Sequence, residues 1–432
     1  MNRMSTVELQ IAERARKFKG EALHNLHHFI DAPLLQESYK KLNKKSAKGI
    51  DGKTWHQYGL EFPERRESLL AEFKSGRYRA PALRRVYIPK DKHSQRPIDI
   101  ATTEDKVLQE SVRRVIGPIY EEDFKPFSYG FRPGRSQHQA IDYMFKKVSF
   151  EKMHYIIDAD IKNYFGSINH GNLREFLDKR VKDGVVRRMI DKWLKAGIME
   201  SGNISFPDSG TKQGSVISPL LSNIYLHYVL DEWFSEQIQP MLKGKSFIVR
   251  FADDCVLGFT DKSDAERVME VLPKRFAKYA LTLHPEKTKM IDLNSKRGGS
   301  GRSFDFLGFT HYLGKSRKGM MVLMRKTSSK RLTRAVVNIS KYIKLNRHMK
   351  LRDLIAAINI KLRRHYSYYG ITFNTKGILL FYEQVKRSLF KWLNRRGGKR
   401  NLKWETFTQL VNLWNPLIKP LIAHCYVPSV RN

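Results

Sequence analysis

The segment Phe247–Phe259, FIVRFADDCVLGF, constrains this chain more than any other. Two apolar runs flank an adjacent pair of aspartates, so each run reads as a buried strand with the acids at the turn between them. Such a hairpin needs a sheet to cover it, and its tip is acidic. Taken alone, an Asp-Asp pair also suits a plain turn, where its side chains bond the backbone. A second acid in matching context changes the balance. In YIIDADIKNYF a short apolar strand, Tyr155–Ala159, runs into Asp160. Asp158 and Asp160 are two apart and so point to one face of that strand. If it lies beside the hairpin, Asp160, Asp253 and Asp254 converge at one sheet edge. Three ionised carboxylates crowded together need cations, and hard oxygen ligands favour magnesium. Two such ions would stabilise the attacking and leaving oxygens of an in-line phosphoryl displacement. Phosphoryl transfer on a polyanion is the chemistry this pattern predicts.

The charge balance points to the same partner. There are 80 Lys and Arg against 43 Asp and Glu, a net charge of +37. From His311 onward stand 27 basic residues and three acids, Asp353, Glu383 and Glu405. Apolar residues recur there at helical spacing: Leu332, Val336, Ile339 and Ile343; Leu351, Leu354, Ile358 and Leu362; Leu379, Val385, Leu389 and Leu393. Three amphipathic helices with cationic polar faces follow. An anionic membrane would suit one exposed basic helix, whereas a long folded cationic run suits nucleic acid. Two cysteines, Cys255 and Cys425, exclude a disulfide scaffold and a thiolate zinc cage. The first twenty residues contain no apolar signal region, and no uninterrupted apolar run reaches membrane-spanning length. The chain is expected to be soluble, cytoplasmic and nucleoid-associated, with no membrane partner. Its oligomeric state has no sequence signal.

Other segments fill in the organisation. Residues 5–30 read as one helix and Leu34–Leu42 as a second. Leu83–Pro89 alternates as a strand, Thr103–Ile116 is helical, and Asn169 caps a helix running to about Val181. Ile217–Phe234 is a long apolar helix opened by Ser218-Pro219. The loop at 295–303, SKRGGSGRS, reads as a linker. Helices and strands alternate without a βαβ rhythm, which indicates an α+β fold.

Several blocks then arrive in one order: GIDG (Gly49–Gly52), GRYRAPALRRVYIPK (Gly76–Lys90), RPIDIATTEDKVLQ, FSYGFRPGRSQHQAI (Phe127–Ile141), DADIKNYFGSINH, GTKQGSVISPLLSNIYL (Gly210–Leu226), FADD (Phe251–Asp254), LTLHPEKTKMI and FDFLGF (Phe304–Phe309). In order and spacing they resemble the reverse transcriptases encoded by bacterial group II introns and their relatives, over about Leu35 to His424. The resemblance implies a right-hand polymerase, with fingers and palm built on an antiparallel sheet plus helices, followed by a helical thumb. It places an N-terminal extension at 1–75, fingers and palm at 76–310 with the palm core at about 150–310, a thumb or maturase domain at 311–395, and a basic C-terminal segment at 396–432.

Residue by residue, the resemblance makes Asp160 and Asp253 the principal metal ligands, helped by the Ile161 main-chain carbonyl, with Asp254 as the third acid. The ions would be two Mg2+, for which Mn2+ could substitute. Asp158 lies outside the matched position and reads as a strand-end acid. Phe165 falls where an aromatic ring lies under the sugar and excludes a 2′-hydroxyl, and a core phenylalanine is its plainer reading. Lys90 and Arg96 would grip the triphosphate, since charge and fork geometry suit phosphate oxygens. Gln213 and Gly214 would pack on the nascent base pair. Lys287 would donate a proton to pyrophosphate, or be a surface lysine. Arg132, Arg135, Arg363, Arg364, Lys391, Arg395 and Arg396 would hold nucleic acid. Tyr366, Tyr368, Tyr369, Trp392 and Trp404 suit either base stacking or core packing.

The sequence departs from the family pattern at Lys212, Ser215, Gly166, Phe251 and the IDIAT run of Ile98–Thr102, which points to a side lineage. No Cys-rich or His-rich endonuclease segment is expected. The implied function is an RNA-directed DNA polymerase using an RNA template, a DNA or RNA primer and dNTPs. The alternatives are a non-enzymatic maturase that folds intron RNA, and a host-adopted enzyme of antiphage defence, CRISPR spacer acquisition or DNA repair.

Overall fold

The computed structural model describes residues 5–89, 94–294, 302–396, 402–414, 416–422 and 424. They fall into two compact units, 1–140 with 157–290, and 141–156 with 291–432. The fold is α+β.

The first unit opens with α1 (Thr6–Lys17), whose Ser5 and Glu8 form a reciprocal capping box. The single helix expected over residues 5–30 is not formed: α1 stops at Lys17, Gly20 takes a left-handed φ of 82°, and a short 3-10 turn covers Leu26–Phe29. Then come α2 (Ala32–Lys41), α3 (Trp55–Ser75), β1 (Leu83–Pro89), β2 (Gln95–Ile100) and α4 (Thr103–Asp123). α1 and α2 pack on α4. The join is polar at its centre, where buried Arg114 of α4 donates Nε to Glu8 Oε1 at 2.9 Å and Nη2 to Glu37 Oε2 at 2.7 Å.

Beyond α5 (Gln137–Phe150) and β3 (Tyr155–Ala159) the chain forms the short α6 (Tyr164–Ser167), α7 (His170–Asp178), α8 (Gly184–Lys195), β4 (Ile198–Glu200) and β5 (Asn203–Ser205). Asn169 caps α7 as its sequence predicts, bonding Asn172 N at 3.0 Å. One sheet has the order β2-β1-β4-β5, and its β1–β4 pair is parallel, a departure from the antiparallel sheet expected. The apolar helix at Ser218 exists as α9 (Ser218–Leu226), continues through wider π-type turns to Ile238 and ends in a tighter 3-10 turn, Gln239–Met241. β6 (Ser246–Phe251), β7 (Asp254–Phe259), α10 (Lys262–Lys278) and β8 (Lys289–Asp292) follow. The second sheet has the order β6-β7-β3-β8, so the predicted strand does lie beside the predicted hairpin.

In the second unit β9 (Ser303–Phe306), β10 (Phe309–Lys315) and β11 (Met321–Thr327) form an antiparallel sheet. The helical run therefore begins at Ser329, not at residue 311, because 309–327 alternates as a hairpin before any helical period starts. α11 (Ser329–Leu345), α12 (Leu351–Tyr369) and α13 (Thr375–Leu393) are the three expected amphipathic helices, and α14 (Trp404–Trp414) adds a fourth within the segment expected to be a basic tail. Ile339, Ile343, Leu354, Ile358, Leu362, Val385 and Leu389 form their core, as the spacing predicts. Leu379 is exposed instead, and its neighbour Ile378 is buried. Most of the linker predicted at 295–303 lies outside the described residues.

This unit also buries the imidazole of His311 and half-buries that of His365. His311 on β10 stacks on Phe304, with Nε2 at 3.3 Å from the Phe306 carbonyl. Burial, reinforced by the Arg325 charge, pushes its pKa down to about 3, and burial alone pushes His365 down to about 4. Both are depressed below the unfolded value, so their stabilising contribution is complete above pH 6.5 and is lost as pH falls toward those values. Lowering the pH from 7 to 4.5 should cost this unit on the order of 2 kcal/mol through His311. His311→Gln should flatten that part of the melting temperature's pH dependence, and an unaltered dependence would discount the imidazole.

Candidate active site

The hairpin β6–β7 is closed between paired Phe251 and Asp254, so only Ala252 and Asp253 form its turn. Ala252 has φ 57°, at the position where two-residue hairpins usually require glycine. Such a conformation costs a residue with a side chain roughly 1–2 kcal/mol. Asp253 follows it, half-buried at the sheet end.

Asp160 stands one residue past β3, and its backbone is fixed from one side. Its carbonyl accepts from His284 N at 2.7 Å, while Lys162 N donates to Thr282 O at 2.8 Å. These two bonds frame an antiparallel bridge between Ile161 and Leu283. In a pair of this kind the central residue's own carbonyl points away from the partner strand, so the Ile161 carbonyl faces the opposite edge.

The charges of the two acids reach one another. The Asp253 carboxyl is pushed above its ordinary value by burial first and then by the Asp160 charge, while Arg96 and Arg250 oppose the shift. Arg96, exposed on β2, thus lies within electrostatic reach of the turn. Lys287 donates Nζ to Asp160 Oδ2 at 2.9 Å. The lysine expected to serve the leaving group is therefore paired with the acid itself.

Asp254 is the residue that follows the turn. It is exposed at the start of β7, and its charge, like that of Asp158, acts on the buried Cys255 thiol, whose pKa is raised chiefly by burial. Among the described residues no group of three or more His, Cys, Asp or Glu is gathered to hold a metal ion. The coupled acids are a pair, Asp160 and Asp253. Their donors are all oxygen and their charges repel, which fits a hard divalent cation.

Phe165, half-buried in α6, is held by its backbone: Thr211 N donates to its carbonyl at 2.7 Å. The unusual Gly166 has a local reason, since a Cβ there would collide with the Asn163 side chain, lying 2.9 Å from its Cγ. Gln213 accepts from Asp99 N at 2.7 Å through its carbonyl, tying this loop to β2. Gly214 has φ +110°, and a Cβ there would lie 2.8 Å from Ile98 Cγ2. Lys212, the other departure, is buried, and burial pushes its amine down to about 8 against the partial compensation of Asp99. Lys90 lies outside the described residues.

Of the cations expected on nucleic acid, Arg135, Arg363, Arg364, Lys391 and Arg395 are exposed. Lys391 and Arg395 each lie 5.3 Å from the Trp392 ring centre. Arg132 does not fit that role. It is buried, with Nε on Glu121 at 3.0 Å and Nη1 on the Lys125 and Ser128 carbonyls, because the loop around it folds over its side chain. Arg396 is half-buried and donates to the Arg347 and Met349 carbonyls. Tyr366 is core, its hydroxyl on the Ile418 carbonyl, and Trp404 packs on Phe390 and Phe407.

Sequence reasoning missed Arg250. It lies in β6, fully buried, and its guanidinium donates to Asp231 Oδ1 and Oδ2 at 2.8 and 2.6 Å. Nη1 also reaches Asn223 Oδ1 at 2.9 Å and the Ala252 carbonyl at 3.0 Å. A lone arginine inside the run FIVRF was the available signal.

Sheet, acidic hairpin and strand-end aspartate together define a polymerase-type palm. A family described as Reverse transcriptase (RNA-dependent DNA polymerase) matches residues 88–311, and the chain belongs to it. The chain is similar to the group II intron-encoded protein LtrA of Lactococcus lactis subsp. cremoris, with 34% identity over 223 residues, 50% of this chain and 36% of LtrA. It is 31% identical to protein YkfC of Escherichia coli K12 over 358 residues, 74% of this chain and 91% of YkfC. It also resembles nuclear intron maturase 3, mitochondrial, of Arabidopsis thaliana, at 30% over 122 residues, 28% of this chain and 17% of that protein. The matched part thus spans about a third of the length of LtrA. No helix among the described residues is long and apolar enough to cross a membrane.

Proposed function

We propose that this protein extends a DNA or RNA primer on an RNA template, joining deoxynucleotides with the help of two magnesium ions for which manganese can substitute. The observation that carries this reading is that β3, which runs into Asp160, lies beside the β6–β7 hairpin whose turn holds Asp253, acids 93 positions apart in the chain, with the Asp160 charge helping to raise the Asp253 pKa. Their carboxylates would hold the ions, with the Ile161 carbonyl as a further ligand and Asp254 flanking them. Bound there, divalent ions supply the positive charge that offsets negative charge developing on the phosphoryl oxygens.

The remaining roles belong to the chain. Arg96, across from Asp253, orients the triphosphate, and Lys90 serves the same group. Gln213 and Gly214 bear on the new base pair from a loop bonded to β2. Lys287 shields Asp160 and stands ready to give a proton to the departing pyrophosphate. Exposed Arg363, Arg364, Lys391 and Arg395 track the phosphate backbone, whose neutralisation releases counterions.

Primer extension on an RNA template, with Mg2+ or Mn2+ and with chelator, tests the reading. Metal-dependent DNA synthesis is expected. RNA binding without any synthesis would instead favour the maturase reading, which the exposed cations of α12 and α13 would serve equally well. Phe165 is the proposed sugar gate. Phe165→Val should raise ribonucleotide incorporation by roughly 10–100-fold relative to deoxynucleotides, the range one well-packed group gives in discrimination. Unchanged sugar preference in competition assays would withdraw that assignment.

A further inference from the structure

We infer that Arg250, fixed by Asp231 and Asn223, is a positioning residue that holds the strained Ala252-Asp253 turn in its working conformation. The inference rests on the proposed role of Asp253 as a metal ligand. The turn is held from behind by two devices. The first is the fork: Arg250 meets Asp231 through two bonds, and the spare capacity of Nη1 is directed at the Ala252 carbonyl. Both side chains of this ion pair are fully buried. A buried pair of this kind gives little net stability compared with well-packed apolar residues, so stability is a poor account of why a guanidinium stands there. Its geometry fits another purpose, because an apolar side chain could not hold the carbonyl of a residue at φ 57°.

The second device is the loop at 127–130. Arg250 N donates to Phe127 O at 3.0 Å and Tyr129 N to Arg250 O at 2.9 Å, laying this loop along β6. Gly130 then sits directly on the turn, where an added Cβ would lie 2.2 Å from Ala252 N. Asn223 ties the two devices together, accepting from Arg250 Nη1 and donating Nδ2 to the Gly130 carbonyl at 2.7 Å. Backbone strain persists only where the surroundings over-determine it, and here they do so one residue before the acid. Turn, fork and loop make one assembly that aims Asp253.

Two variants separate positioning from folding. The double variant Arg250→Met/Asp231→Leu replaces the ion pair by apolar groups of similar size, and Arg250→Lys keeps a charge opposite Asp231 but cannot fork. Each is measured for melting temperature, for kcat and dNTP KM in primer extension, and for Mn2+ affinity by electron paramagnetic resonance without nucleic acid. The expected result is a folded protein whose kcat falls roughly 100-fold with KM little changed, the scale on which a misplacement of about 1 Å acts, and whose Mn2+ affinity falls about as clearly. A folded variant with wild-type kcat and Mn2+ affinity would overturn the inference. Failure of both variants to fold would also overturn it, assigning the fork to stability alone. Asp253→Ala, run alongside, isolates the premise: synthesis retained there removes Asp253 as a ligand, whereas synthesis lost there and kept in the fork variants removes only the positioning role.

Discussion

Asp253→Ala should abolish primer extension, lowering kcat by roughly 1,000-fold or more, while RNA affinity is kept or slightly raised. The size follows from what the residue is asked to do. Half of the coupled acid pair disappears, and with it the negative charge that would hold a divalent ion between turn and strand end. Groups that act as one unit are grossly non-additive, so a double Asp160→Ala/Asp253→Ala variant should be little worse than either single change. Affinity for a polyanion should not suffer, because an anionic side chain has been removed. Single-turnover extension combined with filter binding reads both quantities. Synthesis within about tenfold of wild type would defeat the proposed site. The pH dependence adds a sign. Burial and the neighbouring acid raise the Asp253 pKa, so its ionised form is lost earlier on acidification than an exposed aspartate's would be. Activity should therefore decline from the acid side first.

The second large effect concerns stability. Arg114→Ala should cost the first unit about 3 kcal/mol, the lower end for breaking a buried pair, because the Glu8 carboxylate then keeps only the Ser5 N–H and Lys41 at 3.8 Å. Burial alone would raise the Glu8 pKa, and the Arg114 guanidinium together with the Ser5 N–H more than reverses that. Arg114→Ala paired with Glu8→Ala should recover much of the loss, since no charge is then stranded in the interior. Urea unfolding of the two variants measures the difference. Equal destabilisation by the single and double changes would show that packing of α1 on α4 governs this join, not the ion pair.

Much of the site was legible because its chemistry is written in local patterns. The apolar runs on either side of Asp253-Asp254 and before Asp160 required buried strands, and β3, β6 and β7 occupy those positions. The same held for α11, α12 and α13, whose apolar spacing is helical over many turns. Where local patterns stop, the reading stopped as well. Arg132 was expected to hold nucleic acid, whereas a loop of a few residues turned its guanidinium onto Glu121 and two carbonyls. The strands at 309–327 were overlooked beneath a strongly basic composition, which carries no period.

The order of motifs and the alternation of apolar residues thus specified on their own the strands that flank the acids, which acids end them, and what chemistry those acids suit, since each depends on neighbours within a few residues. The pairing of Lys287 with Asp160, the reach of Arg96 toward Asp253, and the fork from Arg250 to Asp231 and Ala252 were decided only by folding. Apart from the bond to Ala252, those contacts join residues at least 19 positions apart in the chain, and a side chain's direction there is set by whatever packs against it.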